Sequence, residues 1–266
     1  MSPPIQVRRP DFDFSGVPRV WCDDDPRMTH VINGLSAVFP AGERFFMRSV
    51  AAFEDRLDPE QRQRVRAFYG QEAAHGRAHR ATFEMLERQG YELGRWLDWY
   101  EGHAYGEGLE SWVSPTIRLA TTVALEHLTA TLAEVAFDPD DVVARMDPAM
   151  AELLRWHAAE EIEHKAVAFE VLQRVDPRLR TRVVGFGIAL IVLAFYTSSA
   201  AQHLARQDRL RGVRLRAVVE FVRRPAVVVE ALRLLRPGFH PDQRDNYHLA
   251  EAFLRELSQR RDLAAA

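Results

Sequence analysis

The stretch Trp156-His157-Ala158-Ala159-Glu160-Glu161-Ile162-Glu163-His164-Lys165 decides how the rest of the chain is read. As a helix it places His157, Glu161 and His164 at i, i+4 and i+7. Residues three and four apart stack along a helix, so the three side chains share one face. Two imidazoles and a carboxylate that converge in this way suit a first-row transition metal. A solvated charged helix with incidental histidines is the plainer alternative.

Outward from this stretch, Asp147-Pro148 opens the helix and Asp176-Pro177 closes it. Asp caps a helix N-terminus, and Pro suits the first helical position because its missing N–H would be unpaired there anyway. The same punctuation recurs upstream. Ser114-Pro115 opens a helix to about Phe137, and Asp58-Pro59 opens one to about Gly90. Asp25-Pro26 starts a short helix to about Val38. Phe39-Pro40-Ala41-Gly42 reads as a break, followed by a helix from Glu43 to about Arg56 with Phe46, Val50 and Phe53 at helical spacing. Residues 1–25, with Pro3, Pro4, Pro10 and Pro18, form an irregular arm, and 91–114 is a looser, aromatic-rich crossover. No period-2 run is convincing, so the fold class is all-α.

Carboxylates and imidazoles then line up on four successive helices: Glu43, Glu72-x-x-His75, Glu126, and Glu161-x-x-His164. A four-helix bundle holding two metal ions uses this set, a Glu from each of two helices and Glu-x-x-His from each of the other two. Carboxylates bridge and neutralise cations, and each imidazole adds a terminal ligand. Each piece alone is weak; their order is specific. Glu43 has a plainer reading as a first-turn acid favoured by the helix dipole. Glu126 lies among Ala124, Leu125 and Leu128, where an unpaired carboxylate is costly and a metal would pair it. His157, one turn before Glu161, is the candidate third imidazole. His79, one turn after His75, is a further ligand or a supporting partner. His127 points about 100° from Glu126 on an ideal helix, which favours a supporting or structural role. Glu160 is expected to face outward or to support a ligand, and Glu163 to be solvated.

The 266 residues are 47% hydrophobic and 27% charged, an ordinary globular composition. A lone cysteine, Cys22, excludes an intramolecular disulfide and a thiolate zinc cluster. Residues 1–18 lack the apolar core of a secretory signal, so a cytoplasmic setting is expected. The formal charge of −3 is uneven, because residues 174–236 hold 13 Arg against four acids. No nucleic-acid motif accompanies these arginines, and nucleic acid is not expected as a partner. Val183 to Gln202 is a 20-residue uncharged run, about 30 Å as a helix and long enough for a bilayer. Gly185, Gly187, Thr197, Ser198 and Ser199 dilute it, and arginines flank both ends, unlike the one-sided bias of a single span. A helix packed on the bundle is the leading expectation, ahead of in-plane membrane contact and a true span. Residues 204–235 read as basic amphipathic helix broken at Arg224-Pro225, and Asp242 to Leu263 as a last helix.

At these residues the chain resembles a bacterial family of predicted metal-dependent hydrolases within the ferritin-like superfamily. The resemblance rests on Phe39-Pro40-x-Gly42-Glu43-x-Phe45-Phe46, Gln71-Glu72-x-x-His75-x-x-x-His79-Arg80, Ala124-Leu125-Glu126-His127, and Trp156-His157-x-x-Glu160-Glu161-x-Glu163-His164-Lys165-x-Val167-Ala168-Phe169. Arg236-Pro237-Gly238-Phe239-His240-Pro241 also looks like a family feature, and the likeness covers about residues 20–260. The His157-x-x-x-Glu161-x-x-His164 arrangement is similar, in the site motif alone, to p-aminobenzoate N-oxygenase-type di-iron enzymes. The resemblance implies a ferritin-like four-helix bundle over residues 26–180, with residues 181–266 as a helical extension packed on it in a single domain. It implies a dinuclear centre, with two irons as the first expectation and manganese, mixed iron–manganese or zinc as alternatives. An oxidase or oxygenase acting on an apolar or amine-bearing small molecule with O₂ is the leading functional expectation. A dimetal hydrolase is the alternative, and a non-catalytic metal-binding or membrane-surface protein comes third. A lipid-like substrate, peripheral membrane contact through 183–236 and a homodimer complete the expected partners.

Overall fold

Four helix starts use the cap-and-proline signal that the sequence carries. The Asp25 carboxylate accepts from the backbone N–H groups of Arg27 and Met28, Asp58 from Gln61, Ser114 from Ile117 and Asp147 from Ala149. Each precedes a proline in the first turn, and each satisfies backbone donors that a helix leaves unpaired. The computed structural model describes residues 3–214 and 223–265. Its helices are α1 (Pro26–Ala51), α2 (Pro59–Arg88), α3 (Gly94–Ala104), α4 (Pro115–Val135) and α5 (Pro148–His164). They continue with α6 (Val167–Val175), α7 (Leu179–Gln207), α8 (Pro225–Leu232) and α9 (Tyr247–Ala265). Among the described residues there is no strand beyond an isolated bridge between Cys22 and Met146. The all-helical expectation is met.

Helices α1, α2, α5 and α4 form a ring in which each packs on the next, and α4 returns to α1. Two apolar clusters fill it. One gathers Met85, Leu153, Trp156 and Ile162; the other gathers Phe46, Phe68, Leu119 and Phe169. Helix α9 packs on α5, and α8 on α4.

Several expectations need correction. The break at 39–42 is absent: α1 runs through Pro40. Proline removes one helical hydrogen bond, the one the Ser36 carbonyl would accept, and packing on α2 and α7 holds the helix together in spite of it. Glu43 is therefore a mid-helix residue, not a first-turn acid. The fourth bundle helix is not continuous to Asp176; it ends at His164, and a turn at Lys165–Ala166 leads into α6. The Lys165 ammonium is drawn into that corner, 2.6 Å from the Arg244 carbonyl and 2.5 Å from Asn246 Oδ1. The crossover contains α3, and the last helix begins at Tyr247, not Asp242, because Pro241–Gln243 forms a separate short turn. Within 204–235, residues 215–222 lie outside the described residues, and Pro225 opens α8 as the sequence break suggested. The arm is irregular yet packed, with Phe14, Val17, Trp21 and Cys22 buried.

The apolar run 183–202 lies within α7, which packs along both α1 and α4. Two glycines allow the approach. A Cβ on Gly34 would sit 2.6 Å from the Thr197 carbonyl oxygen, and one on Gly185 would sit 2.4 Å from the Ala120 backbone. Neither backbone can yield cheaply, and overpacking of this kind costs about 1–3 kcal/mol. The opposite face of α7 is exposed, with Val183, Val184, Leu190, Ile191 and Phe195 in solvent.

Candidate metal centre

The ring helices bring the predicted donors to one place. Glu43 comes from α1, Glu72 and His75 from α2, Glu126 from α4, and His157, Glu161 and His164 from α5; all seven are buried. Ligand atoms of Glu72, His75, Glu161 and His164 lie within 4.8 Å of one another, as do those of Glu43, His75 and His157. The two sets share His75 and so adjoin.

The carboxylates cross-link the ring. His164 Nε2 is 3.2 Å from Glu72 Oε1 and 3.7 Å from Glu161 Oε1, while His164 Nδ1 is 2.9 Å from Glu126 Oε2. His157 Nε2 is 2.9 Å from Glu161 Oε1, and His75 Nδ1 is 3.7 Å from the same oxygen. The Thr129 hydroxyl donates to Glu161 Oε2 and fixes that carboxylate from α4. Glycine at position 76 makes room for Glu43: a Cβ there would lie 2.9 Å from Glu43 Oε2.

Many of these atoms make no hydrogen bond. Both oxygens of Glu43, both of Glu72, Glu126 Oε1, His75 Nδ1 and His164 Nε2 are buried without a hydrogen bond. Buried polar groups are ordinarily paired, and each orphan costs about 1–3 kcal/mol. Converging orphans on carboxylates and imidazoles are the pattern that bound cations would satisfy. Four carboxylates would also balance two divalent ions.

The protonation behaviour carries the same strain. Burial, then the neighbouring carboxylates, pushes Glu43 and Glu72 well above the usual carboxylate range. Burial lifts Glu126 to about 7 against the pull of His164. His75 and His79 are driven well down by burial and then by adjacent imidazoles. For His164 burial acts downward, but Glu126 and Glu161 outweigh it and raise the imidazole to about 9. Glu161 is buried too, yet His164, His157 and Thr129 together hold it below its ordinary value.

Behind these candidate donors lies a layer that orients them. Glu160 faces inward, not outward: it accepts from His75 Nε2 at 3.1 Å, from Trp156 Nε1 at 3.1 Å and from Arg8 at 3.2 Å. With Nε2 engaged by Glu160, only Nδ1 of His75 is left to face a cation. A carboxylate behind a ligating histidine fixes its tautomer and strengthens its basicity. Glu163, expected to be solvated, is buried, bridged by Arg8 at 2.7 Å and Gln71 at 2.7 Å. His79 contacts His157, Nε2 to Nδ1 at 2.6 Å, and so supports that imidazole from behind. Phe39, beside the helical proline, packs tilted against both rings, with centroids 4.7 and 4.6 Å away. His127 turns away from the cluster, as its helical angle suggested, to the Glu230 carbonyl at 2.9 Å and the Phe239 ring.

Sequence reasoning missed Arg8, Gly76, Thr129 and the inward role of Glu163. Gln71 and Gly76 flank the Glu72-x-x-His75 motif, which was the available signal. Arg8 lies 152 positions from Glu160, and nothing local announces that pairing.

No curated protein and no solved structure matches the chain. A family profile described as predicted metal-dependent hydrolase matches residues 6–245, which include the arm's Arg8 and every donor of the cluster. The chain belongs to the predicted metal-dependent hydrolase family.

Proposed function

We propose that this protein is a dinuclear metal-dependent hydrolase acting on a small molecule. The observation that carries the reading is the buried cluster of Glu43, Glu72, Glu126, His75 and His164, whose converging oxygens and nitrogens include many without a hydrogen bond. The family description supports the reaction class. Two bound divalent ions would supply Lewis acidity and a hydroxide-like water at neutral pH. Glu72, Glu126 and His164 would hold one ion, and Glu43, His157 and His75 Nδ1 the other, with Glu161 placed to serve either. Thr129 holds Glu161 in place, and Phe39 shields His79 and His157 from water. His157 Nδ1 and His79 Nε2 are close enough to share a proton, a hydrogen bond that fixes the orientation of the His157 ring. The ring of four helices, with Glu, Glu-x-x-His, Glu and Glu-x-x-His in that order, supports placement in the ferritin-like superfamily. The buried free thiol of Cys22 suits a reducing, cytoplasmic setting.

One observation favours a second reading, a non-haem di-iron oxidase. The centre is carboxylate-rich and fully buried, with His157 as an added imidazole, a donor set that suits iron or manganese. Metal-free protein loaded separately with Zn(II), Mn(II) or Fe(II) under anaerobic conditions separates the two. Turnover of ester, amide or phosphoester panels with zinc or manganese, without O₂ uptake, is the expected result. Turnover confined to the iron form, with stoichiometric O₂ consumption, would replace hydrolysis by oxidation.

A further inference from the structure

Helix α7 has two faces of opposite character. The inner face packs on α1 and α4 through the close contacts at Gly34 and Gly185. The outer face carries Val183, Val184, Leu190, Ile191 and Phe195 in solvent, with Ile191 70% and Phe195 51% exposed. Trp99 of α3, itself 42% exposed, extends the patch, its ring 6.3 Å from that of Phe195. Contiguous apolar surface of this kind marks an interaction site in a soluble protein.

Charge identifies the occupant. From Leu179 to Gln207 α7 contains no Asp or Glu. Arg180 lies one turn before Val184 on the apolar stripe, and Arg206 lies three turns beyond Phe195 on nearly the same face. Both are exposed, as are Arg209 and Arg211 just past the helix. Among the described residues none of these four arginines has a carboxylate partner, whereas Arg178 is held by Asp176 and Arg174 by Asp58. An apolar stripe with a free cation at each end, parallel to the surface, is the pattern of a helix lying in a membrane interface. A second copy fits less well. Parallel or antiparallel pairing of two such stripes supplies no acid to meet the arginines, and it brings cations together at the ends.

We propose that the exposed face of α7, flanked by Arg180 and Arg206 and extended by Trp99, docks in the plane of an anionic lipid surface. The docking is peripheral: the inner face stays packed on the bundle, so α7 does not cross the bilayer. It goes beyond the metal-centre reading and does not depend on it.

The test is co-sedimentation of the full chain with vesicles of phosphatidylcholine alone or mixed with phosphatidylglycerol, at low and raised salt. Binding is expected to the phosphatidylglycerol vesicles, weakening with salt. The pair Ile191→Glu and Phe195→Glu should lower partitioning by about tenfold or more, with helicity and metal content unchanged. Ile191→Ser, a milder change, should lower it by a smaller factor and serves if the double variant fails to fold. Arg180→Gln with Arg206→Gln should reduce binding and flatten its salt dependence. Absence of vesicle binding by the unmodified protein overturns the proposal. So does binding that both sets of variants leave intact. A dimer in light scattering that Ile191→Glu splits, without vesicle binding, would assign the face to a second copy instead.

Discussion

The two Glu-x-x-His helices carry the same motif into opposite surroundings. On α2, His75 stacks on His157 with ring centroids 4.1 Å apart, and burial and neighbouring imidazoles keep it neutral. On α5, His164 sits between Glu126 and Glu72, and it is raised to about 9. One half of the centre is therefore imidazole-rich, with Glu43, His75, His157 and, behind them, His79. The other is carboxylate-rich, with Glu72, Glu126, Glu161 and His164. A repeated motif does not make a symmetric site. The neighbours decide, and here they give each half a different charge and a different affinity for protons.

Glu161 is the residue that joins the halves, since its Oε1 lies near His75, His157 and His164. Glu161→Ala is expected to abolish binding of both ions, seen as near-complete metal loss by elemental analysis. Retention of one full equivalent would confine Glu161 to a single half. Glu126→Ala removes a donor from the carboxylate-rich half alone. It should cost one of the two ions, and undiminished two-metal stoichiometry would remove Glu126 from the ligand set.

His157→Ala touches the imidazole-rich half. A loss of about 10–100-fold in affinity for one ion, with the other unchanged, is expected in a competitive chelator titration. Proton coupling separates the halves next. In the metal-free protein Glu126 holds its proton up to about 7 and His164 up to about 9, and each must shed it to bind a cation. Affinity of the carboxylate-rich half should therefore rise with pH through that window and level off above it. Calorimetry in buffers of different ionisation enthalpy would register the released protons, and pH-independent binding would contradict the assignment. The smallest effect belongs to Gly76→Ala. Ala gains up to about 1 kcal/mol of helix propensity over Gly. Its Cβ would displace Glu43, so affinity at the imidazole-rich half should fall by about tenfold while thermal stability of the metal-free protein holds or rises.

Much of this was legible because it is local. The caps at Asp25, Asp58, Ser114 and Asp147 depend on adjacent residues, and all four helices start there. The donor spacing is set by helical geometry, so Glu72 with His75, and Glu161 with His164, could be placed on one face before any packing was known. What failed depended on distant partners. Pro40 reads as a breaker from its own chemistry, but α1 is held along its length by α2 and α7. Glu163 reads as solvated on a charged helix, but Gln71 from α2 and Arg8 from the arm enclose it. The end of α5 at His164 has no proline or glycine to announce it. It coincides with the corner where Lys165 reaches Arg244 and Asn246.

That corner has a practical consequence. Lys165 is the only lysine in the chain, so its ε-amine is the only one an acylating reagent can find. It is buried, and burial lowers its pKa to about 8, so at mildly alkaline pH the neutral, reactive form is present but enclosed. The labelling rate at this single position, read by mass spectrometry, becomes a clock for how often the corner beside His164 opens. Comparison of metal-loaded with metal-free protein would time, at one side chain, how far the centre locks the chain around it.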